Sequence, residues 1–277
     1  MKRAFKQVDV FTDVALKGNP LAVVLDGSGL DSAAMQRFTD WSNLSEATFL
    51  SPPTQAQADY AVRIFCPGRE LPFAGHPTLG SCHAWLQAGG KPKGELIVQE
   101  CGVGLVRIRQ EGARLAFAAP PRIKSGPLDE DDVQRIAHGL GITRADIVAH
   151  AWCQIGPPWR GVMLRSAEQV LALKADSAVL SGWEVGVVGP HAAGHDTQFE
   201  VRAFFTGNRG IAEDPVTGSL NAALAQWLIG DGLAPARYVA TQGTAMGHAG
   251  RVFVQQDGDD IWIGGHSVTV IDGTVML

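Results

Sequence analysis

Apolar and polar residues follow two patterns along this chain, alternation typical of strands and three-to-four-residue spacing typical of helices. In the first half, the pattern predicts strands over residues 5–11, 21–25, 46–50, 60–65, 94–99, 104–110 and 114–118. In the second half, strands are predicted over residues 159–164, 183–188, 199–204, 251–256, 260–264 and 267–271. Helices are predicted over residues 78–88, 166–174 and 216–229. This mixture of many strands and few helices indicates an α+β fold.

Two further segments read as amphipathic helices. The first begins at Asp31 or Ser32, either of which can cap it, and carries an apolar stripe of Met35, Phe38 and Trp41. The second follows a Pro-rich stretch at residues 119–127, which is the best candidate for a linker between two parts of the chain. Its stripe is Val133, Ile136 and Leu140, and Gly141 ends it.

An internal repeat links the two halves. Tyr60-Ala-Val-Arg-Ile-Phe65 matches Phe199-Glu-Val-Arg-Ala-Phe204, and a Gly-containing loop follows each copy. His76-Pro-Thr-Leu-Gly-Ser81 then matches Asp214-Pro-Val-Thr-Gly-Ser219, and each runs into an apolar helix. Two copies are too few for a solenoid, so the repeat predicts two lobes related by pseudo-twofold symmetry.

The repeated loop has the composition of a helix N-terminus, because proline is tolerated where a backbone N–H would have no helical partner. Such termini attract anions through free N–H groups and the helix dipole. If both helices point into one cleft, they could hold a small carboxylate and stabilise negative charge on an adjacent carbon. The structural alternative is that both loops are only helix caps, with Asp214 an ordinary N-terminal acid.

Composition narrows the function classes. The chain has 277 residues, is 45% hydrophobic and carries a net charge of −5 without a basic stretch, which disfavours nucleic-acid binding. It shows neither a signal-peptide core nor an apolar run long enough for a membrane span. Its four cysteines include no C-x-x-C pair, which disfavours a disulfide framework or a zinc site and favours the cytoplasm. No Walker loop or dinucleotide-binding fingerprint is present.

Five segments resemble the PhzF family of phenazine-biosynthesis isomerases, and the resemblance runs nearly end to end. They are Asp9-Val-Phe-Thr-Asp13 with Gly18-Asn-Pro-Leu-Ala-Val23, Asn43-Leu-Ser-Glu-Ala-Thr-Phe49, Pro67-Gly-Arg-Glu-Leu-Pro-Phe-Ala-Gly-His-Pro-Thr-Leu-Gly80, Glu213-Asp-Pro-Val-Thr-Gly-Ser219, and Gln242-Gly243 with the closing strands. The resemblance implies the diaminopimelate-epimerase-like fold, in which each lobe wraps a curved, mostly antiparallel sheet or barrel around a central helix. We expect an N-terminal lobe over residues 1–121 and a C-terminal lobe over residues 122–277, with closing strands able to cross over.

The resemblance also implies a cofactor-independent proton shift within a small carboxylic acid, with the catalytic groups meeting between the lobes. Glu46 matches the glutamate that removes and returns the proton, and His76 and Asp214 match the family's other catalytic residues. Gly75, Gly218 and Ser219 match substrate-binding positions, and a homodimer is the expected assembly. Ala47, Phe49 and Leu50 surround Glu46 with apolar groups that would raise its pKa. Alternatively, Asn43 to Glu46 could be a capping box, although Pro52 and Pro53 leave little room for a helix.

One position departs from the family pattern. Members often carry Gly-Ser-Ala-His where this chain has Gly218-Ser-Leu-Asn221, and an asparagine can hydrogen-bond to a substrate but cannot titrate near neutrality. This leaves the substrate open. Two other functions also stay open: a racemase or epimerase of the same fold, which would use a cysteine from each lobe, and a binding or regulatory protein without turnover.

Overall fold

The computed structural model describes residues 1–207 and 210–277, in which strands greatly outnumber helices. The α-helices are α1 (Ser32–Ser42), α2 (Gly75–Gln87), α3 (Glu130–Leu140), α4 (Ala167–Ala172) and α5 (Gly218–Gly230), with 3-10 turns at Arg144–Asp146 and Thr244–Met246. The strands are β1 (Lys2–Val10), β2 (Asn19–Val24), β3 (Glu46–Ser51), β4 (Tyr60–Cys66), β5 (Arg69–Leu71), β6 (Ile97–Cys101), β7 (Gly104–Glu111), β8 (Arg114–Ala118), β9 (Ala149–Gln154), β10 (Pro158–Met163), β11 (Val185–Pro190), β12 (Phe199–Gly207), β13 (Gly210–Glu213), β14 (Arg237–Gln242), β15 (Gly250–Asp257), β16 (Asp260–Gly265) and β17 (Ser267–Met276). The α+β prediction is confirmed. The predicted loop after Phe204 includes residues 208 and 209, which lie outside the described residues.

The chain divides into two compact units. Unit 1 comprises Met1–Ala118 and Gly264–Leu277, and unit 2 comprises Ala119–Ile263. The predicted linker begins where unit 2 begins, and β17 returns to unit 1 to pair with β1. Among the described residues, no helix is long and apolar enough to cross a bilayer.

Unit 1 is a mostly antiparallel sheet with strand neighbours in the order β17, β1, β2, β3, β4, β6, β7 and β8. The β2–β3 and β4–β6 pairs are parallel, and β5 forms a hairpin with β4. In the part of the chain that the structure describes, β8 does not pair with β17, so these strands do not close into a barrel. Helix α2 packs against β1, β2, β3 and β8. Its first eight residues are all buried, as expected for a helix inside a core.

Unit 2 repeats this topology strand by strand. Its order is β9, β10, β11, β12, β14 and β15, with parallel β10–β11 and β12–β14 pairs and a β12–β13 hairpin. Helices α4 and α5 occupy the places in the chain that α1 and α2 occupy in unit 1, and α5 is likewise almost wholly buried. The predicted repeat is therefore confirmed. The repeated strand segments also match in position, since Phe65 lies opposite Glu70 in unit 1 and Phe204 lies opposite Glu213 in unit 2.

The outer helices show where the simple spacing argument holds and where it is wrong. In α3, Val133, Ile136 and Leu140 are buried and Gly141 ends the helix in the left-handed conformation (φ 70°). In α1, Met35 and Phe38 are buried, but Trp41 is 80% exposed. Steps of three residues turn 300° around a helix, so each member of such a series drifts by about 60° from the last. The drift carries Trp41 off the core face.

Candidate active site

Glu46 is the first residue of β3, and the preceding helix determines where it lies. Helix α1 ends at Asn43, which adopts the left-handed conformation (φ 56°), and the chain then turns into the strand. The capping-box alternative is therefore wrong, because Asn43 terminates a helix instead of starting one. The four residues after Glu46 are buried, whereas the Glu46 side chain keeps 16% of its surface exposed. It is thus a largely buried acidic side chain.

His76 lies against this carboxylate. It is the second residue of α2, and its Nε2 atom is 3.4 Å from Oε2 of Glu46. The side chain is only 4% exposed. Burial lowers the pKa of the imidazole from 6.5 to about 3, so the ring is neutral at pH 7. The structure therefore brings together both predicted catalytic residues of unit 1.

The other ring nitrogen of His76 contacts a residue whose role was not predicted from the sequence. The side-chain nitrogen of Asn19, Nδ2, lies 3.4 Å from Nδ1 of His76, and Asn19 is fully buried at the start of β2. The backbone before Asn19 is held by Asp9, whose Oδ2 atom accepts hydrogen bonds from the N–H groups of Lys17 (2.8 Å) and Gly18 (3.1 Å). The only signal in the sequence was the match of Asp9 and Gly18-Asn19-Pro20 to the family pattern.

Helix α2 begins at Gly75, three residues earlier than predicted. Its N-cap residue, Ala74, has no side-chain oxygen to cap it, and Pro77 has no N–H. By helix geometry, the N–H groups of Gly75 and His76 have no acceptor within the helix, because the first such bond runs from Thr78 N to Ala74 O. Gly75 thus lies where a backbone donor could face an anion.

In unit 2, four buried side chains form a continuous hydrogen-bond network around the start of α5. Oδ2 of Asp214 accepts from the hydroxyl of Thr217, the N-cap residue of α5, at 2.6 Å. Gln242 accepts from Thr217 N (3.0 Å) and from Asn221 Nδ2 (2.9 Å). Its own amide nitrogen donates to Asp214 O and to Thr217 Oγ1. Gln242 therefore ties the loop that carries Asp214 to the helix that carries Asn221.

Asn221 is placed by the same network. Its Nδ2 atom donates to Thr217 O as well as to Gln242, and the residue is 1% exposed. Ser219, the second residue of α5, accepts a hydrogen bond from Trp159 Nε1 at 3.3 Å. Gly218 is the first residue of α5, so its N–H, like that of Gly75 in α2, has no acceptor within the helix. All of these contacts lie within unit 2, and the substrate-binding roles of Gly218, Ser219 and Asn221 stay predictions.

The position directly after Gln242 requires a glycine, Gly243. It has φ 89°, and a Cβ atom there would lie 2.6 Å from Pro215 O and 2.8 Å from His248 Cβ. A side chain would therefore push the strand away from the loop that carries Asp214.

The register of the predicted repeat is wrong at the helix starts. Gly75 and Gly218 each begin a helix of 13 residues, so His76 corresponds to Ser219 and Thr78 to Asn221. The sequence match had instead placed His76 opposite Asp214. The two segments have similar sequences around a proline, but Pro77 lies inside the first turn of its helix, whereas Pro215 precedes the helix.

The cysteines and possible metal ligands add no further chemistry to these groups. Burial raises the pKa of Cys82 and of Cys153 to about 12, which makes both poor acids or bases near neutrality. Burial and the nearby Glu46 raise the pKa of the Cys66 thiol. Within residues 1–207 and 210–277, no group of three or more His, Cys, Asp or Glu side chains could hold a metal ion.

Comparison with known proteins identifies the family. A family model described as phenazine biosynthesis-like protein, PhzC-PhzF, matches residues 8–273. The chain belongs to the PhzF family. Relatives of this PhzF-family chain include antisense-enhancing sequence 1 of Schizosaccharomyces pombe, 33% identical over 98% of each chain. Another is the trans-2,3-dihydro-3-hydroxyanthranilate isomerase of Pseudomonas fluorescens, 30% identical over 98% of each chain.

Solved structures show the same fold. A PhzF-family protein of Bacillus anthracis superposes on the PhzF-family chain with a TM-score of 0.82 at 21% identity, covering 100% of both chains. A hydroxyproline epimerase of Agrobacterium vitis has a TM-score of 0.64 at 12% identity, covering 99% of this chain and 92% of that one. The predicted resemblance to the PhzF family and to the epimerase-like fold is confirmed.

Proposed function

We propose that this PhzF-family protein is a cofactor-independent isomerase that moves a proton and a double bond within a small unsaturated carboxylic acid. The observation that supports it best is the pair formed by Glu46 and His76, a largely buried carboxylate 3.4 Å from a neutral, buried imidazole. A single carboxylate in such a position can accept a proton from carbon and return it to another carbon.

The proposed reaction is balanced without an external reagent. The Glu46 carboxylate removes a proton from an sp³ carbon of the substrate, and the C–H electron pair becomes part of a new double bond. The electron pair of the former double bond moves to the far carbon of that bond. Glu46, now a carboxylic acid, protonates this carbon. The substrate is neither oxidised nor reduced, and Glu46 ends in its starting state.

The helix starts supply the groups that the negative charge of the substrate requires. In unit 1, the N–H groups of Gly75 and His76 are at the positive end of the α2 dipole. In unit 2, the N–H groups of Gly218 and Ser219 occupy the same positions in α5. We propose that these donors bind the substrate carboxylate and the charge that develops during proton transfer. We propose that Asp214 and Asn221 also take part in the reaction, through hydrogen bonds.

The proposed substrate class follows from the proton-shift reaction, and the names of relatives support it. Relatives about 30% identical to this chain are named for an isomerisation of trans-2,3-dihydro-3-hydroxyanthranilate, which is a small cyclic carboxylic acid. Asn221 stands where family members often have histidine. We therefore propose the class, small unsaturated carboxylic acids, without proposing that compound itself.

A two-thiol racemase is the alternative that the shared fold raises. The side chains at the second position of the two central helices are His76 and Ser219, neither of which is a thiol. Cys82 and Cys153 are buried with strongly raised pKa values. These positions favour a single-carboxylate mechanism over a two-cysteine one.

The test is proton exchange followed directly. A library of small cyclic and unsaturated carboxylic acids is incubated with the protein in heavy water, and NMR records where deuterium enters. We expect deuterium at the carbon that gains the proton with wild type, and none with Glu46→Gln. Glu95→Gln is the matched control, because Glu95 is exposed in unit 1 and the chemical change is the same.

Three outcomes would contradict the proposal. Equal exchange by wild type and Glu46→Gln would remove Glu46 from its role. Deuterium at the original carbon with inverted configuration would indicate an epimerase. The absence of exchange with every compound, together with ligand-induced shifts in the protein spectrum, would indicate a binding protein.

A further inference from the structure

Asn19 occupies a position that the proposed proton shift does not by itself explain. Its side chain is fully buried in unit 1, 57 residues from His76 in the sequence, yet its Nδ2 atom lies 3.4 Å from Nδ1 of the imidazole. Burying a side-chain amide costs free energy, so the position of Asn19 inside the core indicates a specific polar requirement there.

The loop before Asn19 is built to hold it in place. Asp9 is buried and accepts from two consecutive backbone N–H groups, at Lys17 and Gly18. Gly18 itself runs so close to β1 that a Cβ atom would lie 2.2 Å from Val10 O. Asn19 therefore enters β2 from a backbone that has little freedom to move.

The protons of this group can be assigned from the donor inventory. An amide NH₂ group only donates hydrogen bonds, so Nδ1 of His76 must present its lone pair to Asn19. The ring is neutral, because burial lowers its pKa to about 3. A neutral imidazole carries one proton, which must then be on Nε2, the atom 3.4 Å from Glu46.

We propose that Asn19 is a positioning residue that holds His76 in the Nε2-protonated tautomer, so that the Nε2–H group, and not a lone pair, faces the Glu46 carboxylate. The inference rests on the proposed function, since it describes how the proposed base is oriented. A donor at Nε2 steadies the carboxylate while it accepts the substrate proton. The opposite tautomer would present a lone pair to that carboxylate and repel it.

Unit 2 contains the same arrangement with different side chains. Ser219 corresponds to His76, as the second residue of the central helix, and Trp159 in β10 donates to its Oγ atom at 3.3 Å. An indole N–H can only donate, so the Ser219 hydroxyl accepts from Trp159 and its own proton is available elsewhere. In each unit, a donor-only group from the second strand thus directs the proton of the residue at the helix start.

The experiment is long-range ¹H–¹⁵N NMR of the histidine rings in the full-length protein, with His76→Asn used to assign the His76 signals. We expect the Nε2–H pattern in wild type. Asn19→Asp, nearly isosteric, places a carboxylate at Nδ1, so we expect the proton to move to Nδ1 or the ring to become charged. Asn19→Leu removes the donor and should give a mixture of the two neutral tautomers. The signals of the other histidines serve as the internal control for folding.

The outcomes separate this inference from the proposed function. An Nδ1–H pattern in wild type would overturn it even if both Asn19 variants failed to fold. An unchanged His76 pattern in a folded Asn19→Asp variant would also overturn it. The deuterium-exchange rate of Asn19→Asp should fall about 10- to 100-fold with a smaller change in KM, whereas Glu46→Gln alone decides the proposed base.

Discussion

The two units carry the same scaffold and different chemistry, and their ion pairs show the shared part. Arg63 pairs with Glu70 through two hydrogen bonds in unit 1, as Arg202 does with Glu213 in unit 2. The unit 1 arginine side chain is 36% exposed, whereas that of unit 2 is 8% exposed and also donates to the carbonyls of Val170 and Leu173 at the end of α4. The same ion pair is thus largely exposed in unit 1 and buried in unit 2.

The groups at the central helices differ more sharply. In unit 1, His76 faces the Glu46 carboxylate, and both are titratable. In unit 2, Ser219 and the network of Thr217, Asn221 and Gln242 contain only hydroxyls and amides, joined to Asp214. The carboxylate–imidazole pair thus lies within unit 1, whereas the unit 2 network consists of hydroxyls and amides joined to one carboxylate.

The first prediction compares Glu46 with a second glutamate, Glu184. Ala47 lies opposite Phe65 and Val185 lies opposite Phe204, so Glu46 and Glu184 hold equivalent positions in the two units. We expect Glu46→Gln to lower the rate of deuterium exchange about 10²- to 10⁴-fold, the usual contribution of a general acid–base group. Glu184→Gln should change it less than about threefold. Equal losses in both variants would mean that each unit supplies an acid–base group.

The second prediction compares the two ion pairs. Arg202→Ala should lower the free energy of unfolding by about 3–5 kcal/mol, because it leaves the Glu213 carboxylate buried without its partner. Arg63→Ala should cost less than about 1 kcal/mol, since that pair is largely in solvent. Denaturant unfolding followed by tryptophan fluorescence measures both. Replacing both members of the buried pair, Arg202→Met with Glu213→Leu, should restore most of the loss, and a double variant as unstable as Arg202→Ala would contradict this explanation.

The third prediction compares the two glutamines that bond to the central helices. Gln242 makes four hydrogen bonds, whereas Gln99 accepts from Tyr60 and donates to Thr78. Gln242→Leu should therefore cost about 2–3 kcal/mol of unfolding free energy and Gln99→Leu about 1–2 kcal/mol. The same denaturation experiment ranks them, and a reversed order would show that the unit 2 network contributes less than its contacts suggest.

The last prediction concerns the pH dependence of stability. The pKa of His76 falls from 6.5 in the unfolded chain to about 3 in the folded one, so between these values the unfolded state binds more protons. Stability should consequently decrease as the pH falls through this window, by up to about 1.4 kcal/mol per pH unit from this residue. His76→Gln should flatten the slope measured between pH 6 and pH 4, and Ser219→Ala should not. An unchanged slope in His76→Gln would mean that the ring is protonated in the folded protein.

Much of the fold was predictable because local periodicity and turn residues carry it. Each predicted strand overlaps a strand of the structure, and the α3 stripe and its glycine stop were predicted correctly, since each depends on near neighbours in the sequence. Strands β5, β9, β13 and β14 were not predicted. The start of α2 was placed three residues late, because a proline inside a first turn looks the same in sequence as one before a helix. Trp41 was assigned to the core because a spacing of three residues approximates the helical period only over one or two steps.

A repeated α+β structure of the PhzF family, with Glu46, His76 and Asp214 as candidate groups, could be predicted from the sequence because motifs and periodicities are local. Tertiary structure alone decided that His76 faces Glu46 and that Asn19 bonds to the opposite side of its ring. It also decided that Gln242 joins Asp214, Thr217 and Asn221. These contacts join residues 21 to 57 positions apart in the sequence. Strand pairing and helix packing decide which side chains meet over such separations, and a local sequence pattern does not encode them.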